Sequence, residues 1–233
     1  MTKSILAQPA AKPSLRGRKP KKQRQQQILD AAFAEFAAHG YEATRLDDVA
    51  ERAGIAKGTI YLYFRDKQGL FRAVVRGLIH PALDTLAGFV GAFPGSAEDL
   101  LRELLSRHYA QVVRKKRARA ILRLLIAESG KFPQLSDIFH REIIAPGVTA
   151  LRLVLEKGVA SGEFRKMKVR GFPQILIAPG VLAALWMLIL GERHQLDLNA
   201  FMRAHLEFVF SALRKRIAVG RLAVGPPKSR SAL

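Results

Sequence analysis

The chain has 233 residues, 49% hydrophobic and 25% charged, which is enough apolar material to bury a core and excludes a wholly disordered or fibrous chain. Lys and Arg number 39 against 19 Asp and Glu, a formal charge of +20 that folding does not require and self-repulsion makes costly, so a polyanionic partner is expected. The absence of cysteine excludes a disulfide framework and thiolate-ligated zinc and fits a reducing, cytoplasmic setting.

Met1 to Arg24 carries eight basic residues, no acid and three prolines, without an apolar period. It predicts a flexible basic arm over residues 1–23 that strengthens nucleic-acid binding without selecting bases. Pro9, Lys12 and Pro13 interrupt what would be the apolar run of a secretory signal.

Ile28, Ala32 and Phe36 recur every fourth residue beside Leu29, Phe33 and Ala37, an apolar stripe on a helix that starts near Arg24 and is stopped by Gly40. Thr44 and Asp47 look like a capping box with Asp in place of Glu. Leu46, Val49, Ala50 and Ala53 form the buried face of a short second helix that ends at Gly54. After the turn Gly54-Ile55-Ala56, Ile60 and Phe64 stand one turn apart and can pack on the first two helices. Two short helices joined by a glycine turn make a helix-turn-helix, with a domain expected over 24–70.

With Ile60 and Phe64 inward, a helical wheel of about 100° per residue turns Gly58, Thr59 and Leu62 outward and sets Tyr61 and Tyr63 on opposite flanks. That arrangement suits a major groove. Leu62 can meet a thymine methyl, the Thr59 hydroxyl can donate or accept, and the two phenols can reach phosphates. Gly58 lets the backbone approach, and Lys57 can hold a phosphate at the start of the helix. The plainer reading, in which the tyrosines only fill a core, stays open at this level.

The run LDDVAERAGIAKGTIYLYFRDKQGLF from Leu46 to Phe71, with the helix before it, resembles the DNA-binding region of the tetracycline-repressor (TetR) family. The resemblance implies phosphate contacts for Thr44, Tyr61, Tyr63 and Lys67, and base-facing roles for Lys57, Thr59 and Leu62. Arg45 and Gly58 lie in the same DNA-binding segment. One departure is Ala56, where many relatives carry a Ser or Thr that caps the recognition helix.

Asp66 can cap a further helix carrying Leu70, Phe71, Val74, Val75 and Leu78, which runs toward Pro81 and links the DNA-binding domain to a larger helical domain over 71–217. Ala97 to Val113, Ile121 to Ile126 and Leu151 to Val159 show helical spacing, and no strand pattern competes. The run Arg114-Lys115-Lys116-Arg117 reads as a solvated loop or helix end rather than a second nucleic-acid site. A basic tail follows over 218–233. The fold class is therefore all-α, an N-terminal three-helix DNA-binding domain plus a larger C-terminal helical domain for ligand binding and dimerisation.

Gly171 to Gly191, about 20 residues without a charge, meets the length rule for a membrane span, but Pro173 and Pro179 interrupt it. A helix apolar on all sides can instead pair with a second subunit. The resemblance implies a homodimer through helices near 174–190 and 198–213, with Phe201, Leu206, Val209 and Phe210 supplying the apolar faces of the second. Six histidines have no metal-binding spacing, and no nucleophile elbow or glycine-rich phosphate loop is present, so neither metal, cofactor nor enzymatic activity is expected.

The sequence and the resemblance together predict a cytoplasmic regulator, a repressor, that binds a palindromic operator in double-stranded DNA and is released by a small-molecule inducer. The inducer is expected to be largely apolar, with His108, Tyr109 and Arg123 orienting it. The rivals are a protein that coats DNA without sequence preference and a protein attached to a membrane through 171–191.

Overall fold

The computed structural model describes residues 20–79 and 86–214. Most of the expected arm, the approach to Pro81 and the whole basic tail over 218–233 lie outside the described residues. The chain divides into two units, through Val74 and from Val75 onward.

In the first unit, α1 (Lys21–Ala43) begins earlier than expected, so Lys21, Lys22 and Gln23, assigned above to the arm, are helical. Gly40 breaks the helix as predicted: it sits at φ 81°, a backbone conformation that costs glycine little and other residues more. Ile28, Ala32 and Phe36 are buried, and Phe36 meets Tyr41 and Phe71 with ring centroids 5.8 and 5.4 Å apart.

The capping box is a correction. The N-cap of α2 (Leu46–Arg52) is Arg45, with no side-chain capping bond, and the Thr44 hydroxyl instead donates to the Gly40 carbonyl at 2.6 Å. The α2 N-cap falls at Arg45, one residue past Thr44, so the Thr44 hydroxyl points back to the broken end of α1 instead. Asp47 and Asp48 remain in the first turn of α2, where the helix dipole favours acids.

Gly54, at φ 62°, closes α2. Its N–H donates to Glu51 O at 2.9 Å, and that of Ile55 donates to Ala50 O at 3.0 Å, the paired bonds of a Schellman ending. Glu35, buried in α1, accepts from Arg52 Nε at 2.5 Å, tying α1 to α2. α3 (Lys57–Tyr61) starts at Ala56 without a side-chain cap, as the departure at that position implied, and α4 (Lys67–Ile79) starts with Asp66 Oδ1 accepting from Gly69 N at 2.7 Å.

The second unit contains α5 (Leu86–Ala92), α6 (Ala97–His108), α7 (Lys116–Glu128), α8 (Pro133–Phe139), α9 (Ala145–Ala160), α10 (Ala178–Ile189) and α11 (Leu198–Leu213). Wide π-helical turns occupy Tyr109–Val113 and His140–Ile144, and 3-10 turns occupy Lys168–Gly171 and Pro173–Leu176. No strand occurs among the described residues, apart from a single bridge between Phe164 and Arg214. Ser96 caps α6 by accepting from Asp99 N, while Glu163 accepts from the N–H groups of Ala97 and Glu98 at 3.1 and 3.0 Å, so two side chains satisfy donors that a helix start leaves unpaired.

The main core joins α6 (Leu100, Leu101, Leu104, Leu105) to α9 (Leu151, Val154, Leu155) and α11 (Leu206, Val209, Phe210, Leu213). The last group corrects the expectation for α11. Leu206, Val209 and Phe210 face their own core, and Phe201 packs, half-buried, on a smaller cluster of Tyr109, Val113, Ala183 and Ala184. The helical period that marked these residues as apolar cannot tell an internal from an intersubunit face. The apolar run of 171–191 is divided by its prolines into the 3-10 turn Pro173–Leu176 and the 12-residue α10, and no helix among the described residues is long and apolar enough to cross a membrane.

Candidate nucleic-acid interface

α3 owes its position to the side chains behind it. Ile60 is fully buried and Phe64 is 7% exposed, both on the inner side, and the N–H groups of Tyr63 and Phe64 donate to Ile60 O at 2.9 Å, so the chain stays coiled one step beyond the helix. With that side anchored, Leu62 is 79% and Tyr61 50% exposed, adjacent large side chains held open to a partner. Gly58 is exposed with open space where a Cβ would stand, and Thr59 and Tyr63 are half-buried. Burial as core, the plainer reading of the tyrosines, does not describe Tyr61.

Three of the predicted contact residues are engaged by the protein itself. Lys57 Nζ lies 2.8 and 2.9 Å from the two carboxylate oxygens of Asp47, and that hydrogen bond is the main cause raising the lysine pKa. Lys67 Nζ donates to the carbonyls of Tyr41, Glu42 and Thr44 at 2.8, 3.0 and 3.1 Å and lies 4.7 Å from the Tyr41 ring centroid. It ties off the end of α1, a role that no pattern in the sequence signals. Thr44 is 2% exposed, its hydroxyl held by Gly40. Arg45 is exposed at the start of α2, so the exposed members of the predicted set are Arg45, Lys57, Gly58, Tyr61 and Leu62.

Residues 28–74 match the model of bacterial regulatory proteins, tetR family, and residues 94–197 match a tetracyclin repressor-like C-terminal domain. The chain belongs to the tetR family of bacterial regulatory proteins. This tetR-family chain is a DNA-binding transcriptional regulator, and α3 lies within the matched tetR-family region. It is 24% identical over 200 residues to the fatty acid metabolism regulator protein of Bacillus subtilis, covering 85% of this chain and 100% of that one. It is 31% identical over 100 residues to AcrR of Shigella flexneri, covering 43% of this chain and 46% of that relative, so it spans about half of AcrR. Among solved structures, FadR of Bacillus subtilis with stearoyl-CoA shares the fold at a TM-score of 0.64 and 22% identity, covering 80% of this chain and 98% of that one.

In the second unit, the residues expected to orient an effector part company. Tyr109 is fully buried and its hydroxyl lies 3.0 Å from Nδ1 of His205, which is 6% exposed. Burial pushes the Tyr109 phenol up to about 12, and burial, with His205 nearby, pulls His108 down to about 4, so both side chains are neutral near pH 7. Nε2 of His108 and of His205 is buried with no well-aligned hydrogen bond, while the backbone carbonyls of Ile177 and Leu176 act on the two imidazoles. Arg123 is exposed on α7, outside this buried group. His205, which sequence reasoning left unused, joins the set through a contact across 96 positions that no local pattern encodes. A separate, mainly apolar cleft of about 250 Å³ lies between α7, α8 and the His140–Ile144 turn, lined by Leu122, Leu125, Ile126, Ser136, Phe139, His140 and Ile144.

Proposed function

We propose that this regulator acts in the cytoplasm as a homodimeric repressor that presents α3 twice to a palindromic operator. The observation that carries it is the outward Tyr61 and Leu62 on a short helix anchored by buried Ile60 and Phe64. For the contacts, we assign base edges to Leu62, Thr59 and Lys57, phosphates to Tyr61, Tyr63 and Arg45, and close backbone approach to Gly58. Lys67 and Thr44 support the site by holding the end of α1.

For the dimer, α10 buries Ala183 and Ala184 in its own subunit, yet Val181, Leu182, Trp186 and Ile189 are 36, 55, 36 and 72% exposed on its other side, and Phe208 of α11 is 73% exposed. A second copy would cover that stripe.

For the effector, the buried group of His108, Tyr109 and His205 offers a polar anchor in apolar surroundings. The Tyr109 hydroxyl and Nδ1 of His205 share one hydrogen bond whose direction follows the imidazole tautomer, and the carbonyls of Ile177 and Leu176 lie by the two histidines, so the group presents neutral polar atoms. A largely apolar molecule suits these neutral side chains better than a cation. FadR of Bacillus subtilis, crystallised with stearoyl-CoA, is a relative whose ligand carries a long apolar chain.

Selection of bound duplexes from a random pool, followed by footprinting, tests the DNA reading. Two symmetric half-sites spaced about one helical turn apart, and protected together, are expected. Recovery of unrelated sequences, or a lone monomer on the DNA, overturns it. Release of the selected duplex by stearoyl-CoA but not by choline tests the effector class.

A further inference from the structure

A carboxylate has an obvious drawback on a surface that meets phosphates, yet Asp47 is 51% and Lys57 56% exposed by side chain, facing each other in this position. The ammonium spans both carboxylate oxygens, at 2.8 and 2.9 Å. The bond joins the first turn of α2 to the first residue of α3, the end of the recognition helix that Ala56 leaves without a side-chain cap. It also brings a cation near Arg45, whose charge acts on Lys57 in the opposite sense to that of Asp47.

An unpaired lysine at this place would attract any phosphate, whatever the base sequence, and would release a counterion on doing so. A lysine held by Asp47 gains little by exchanging one oxyanion for another, and the exchange would leave Asp47 against the phosphates. The ammonium spans both Asp47 oxygens yet keeps donor capacity and exposure, so it can still point at an acceptor such as guanine O6 or N7. We propose that Asp47 is a specificity-determining residue: it aims Lys57 and cancels its attraction to phosphates, so that this lysine serves base reading and not general DNA affinity. This rests on the DNA-binding reading above and names how one part of that site discriminates.

The test is a set of full-length variants, Asp47→Asn, Lys57→Met, the double variant, Asp47→Glu and Asp48→Asn, each titrated on poly(dI-dC) over a range of salt and on the selected duplex. Freed of its partner, Lys57 takes one more phosphate, so in Asp47→Asn the slope of log K against log salt on poly(dI-dC) steepens by about 0.9. Between 50 and 200 mM salt this is an additional loss of about threefold, and the ratio of selected to non-specific affinity falls. Asp47→Glu keeps the slope of the natural chain. In the Lys57→Met background, adding Asp47→Asn does no more than Asp48→Asn does in the natural chain, since both then remove one surface charge only.

The proposal is overturned by a steepening no larger in Asp47→Asn than in Asp48→Asn, or by one that persists in full without Lys57. The slopes on poly(dI-dC) need no operator, so they judge Asp47 even if the selection returns no consensus, an outcome that would instead sink the palindrome.

Discussion

The Tyr109 hydroxyl and Nδ1 of His205, 96 positions apart, meet at 3.0 Å inside the second unit and make a polar contact among apolar side chains. Burial holds both rings in their neutral forms, raising the phenol pKa and lowering that of the imidazole. His108 sits beside them with its pKa pulled to about 4.

Acid is therefore expected to weaken this unit. A histidine in the unfolded chain binds its proton near pH 6.5, while His108 resists it down to about 4, so the unfolded state takes up more protons throughout that window. The stabilisation is whole above pH 6.5 and is lost as the pH falls toward 4, up to roughly 3 kcal/mol for a shift of this size. Urea unfolding at pH 7, 6, 5 and 4 measures it, and His108→Gln should flatten the dependence. An unchanged midpoint between pH 7 and 4 rejects the buried, neutral state of His108.

Lys67→Met removes an ammonium that donates to three carbonyls at the end of α1. Hydrogen bonds from a charged group carry more than neutral ones, so a loss of about 2 kcal/mol is expected for the first unit. Denaturation followed by tryptophan-independent circular dichroism reads this directly. Where both proteins are folded, affinity for the selected duplex should fall less than in Tyr61→Ala. The opposite order would make Lys67 a phosphate contact first.

Leu182→Glu puts a charge on the exposed side of α10, where the residue is 55% accessible and its loss does not open the core. Sedimentation velocity should show a folded monomer, and affinity for the palindrome should drop by on the order of tenfold or more as an anchor of the interface is removed. A dimer of unchanged strength places the subunit contact elsewhere.

Two glycines of the second unit should respond oppositely to alanine. At Gly158 an added Cβ would stand 2.1 Å from the Phe164 ring, which is 1% exposed, so overpacking costs about 1–3 kcal/mol. At Gly77 nothing lies within 4 Å, and alanine should stabilise α4 by about 0.5–1 kcal/mol through helix propensity alone. Thermal melts of the two variants compare them, and equal shifts of the same sign contradict the packing at Gly158.

Local rules carried much of the molecule. The spacing of Ile28, Ala32 and Phe36, the left-handed turn at Gly54, and the pair Ile60 and Phe64 are all set within a few residues of chain, so the helices of the DNA-binding unit and the outward side of α3 are legible in the sequence alone. What escaped is of a different range. Periodicity marks Leu206, Val209 and Phe210 as one apolar face but is silent on what covers it, and here that is α6 and α9 of the same chain. In the same way, a lysine reads as a phosphate ligand until Lys67 is found on the carbonyls of α1, and a histidine is mere composition until His205 reaches Tyr109. Residues near in sequence settle which helices form and which way each turns; residues far apart, brought together by burial, settle which charges are already satisfied, and only that decides what each side chain has left to offer a partner.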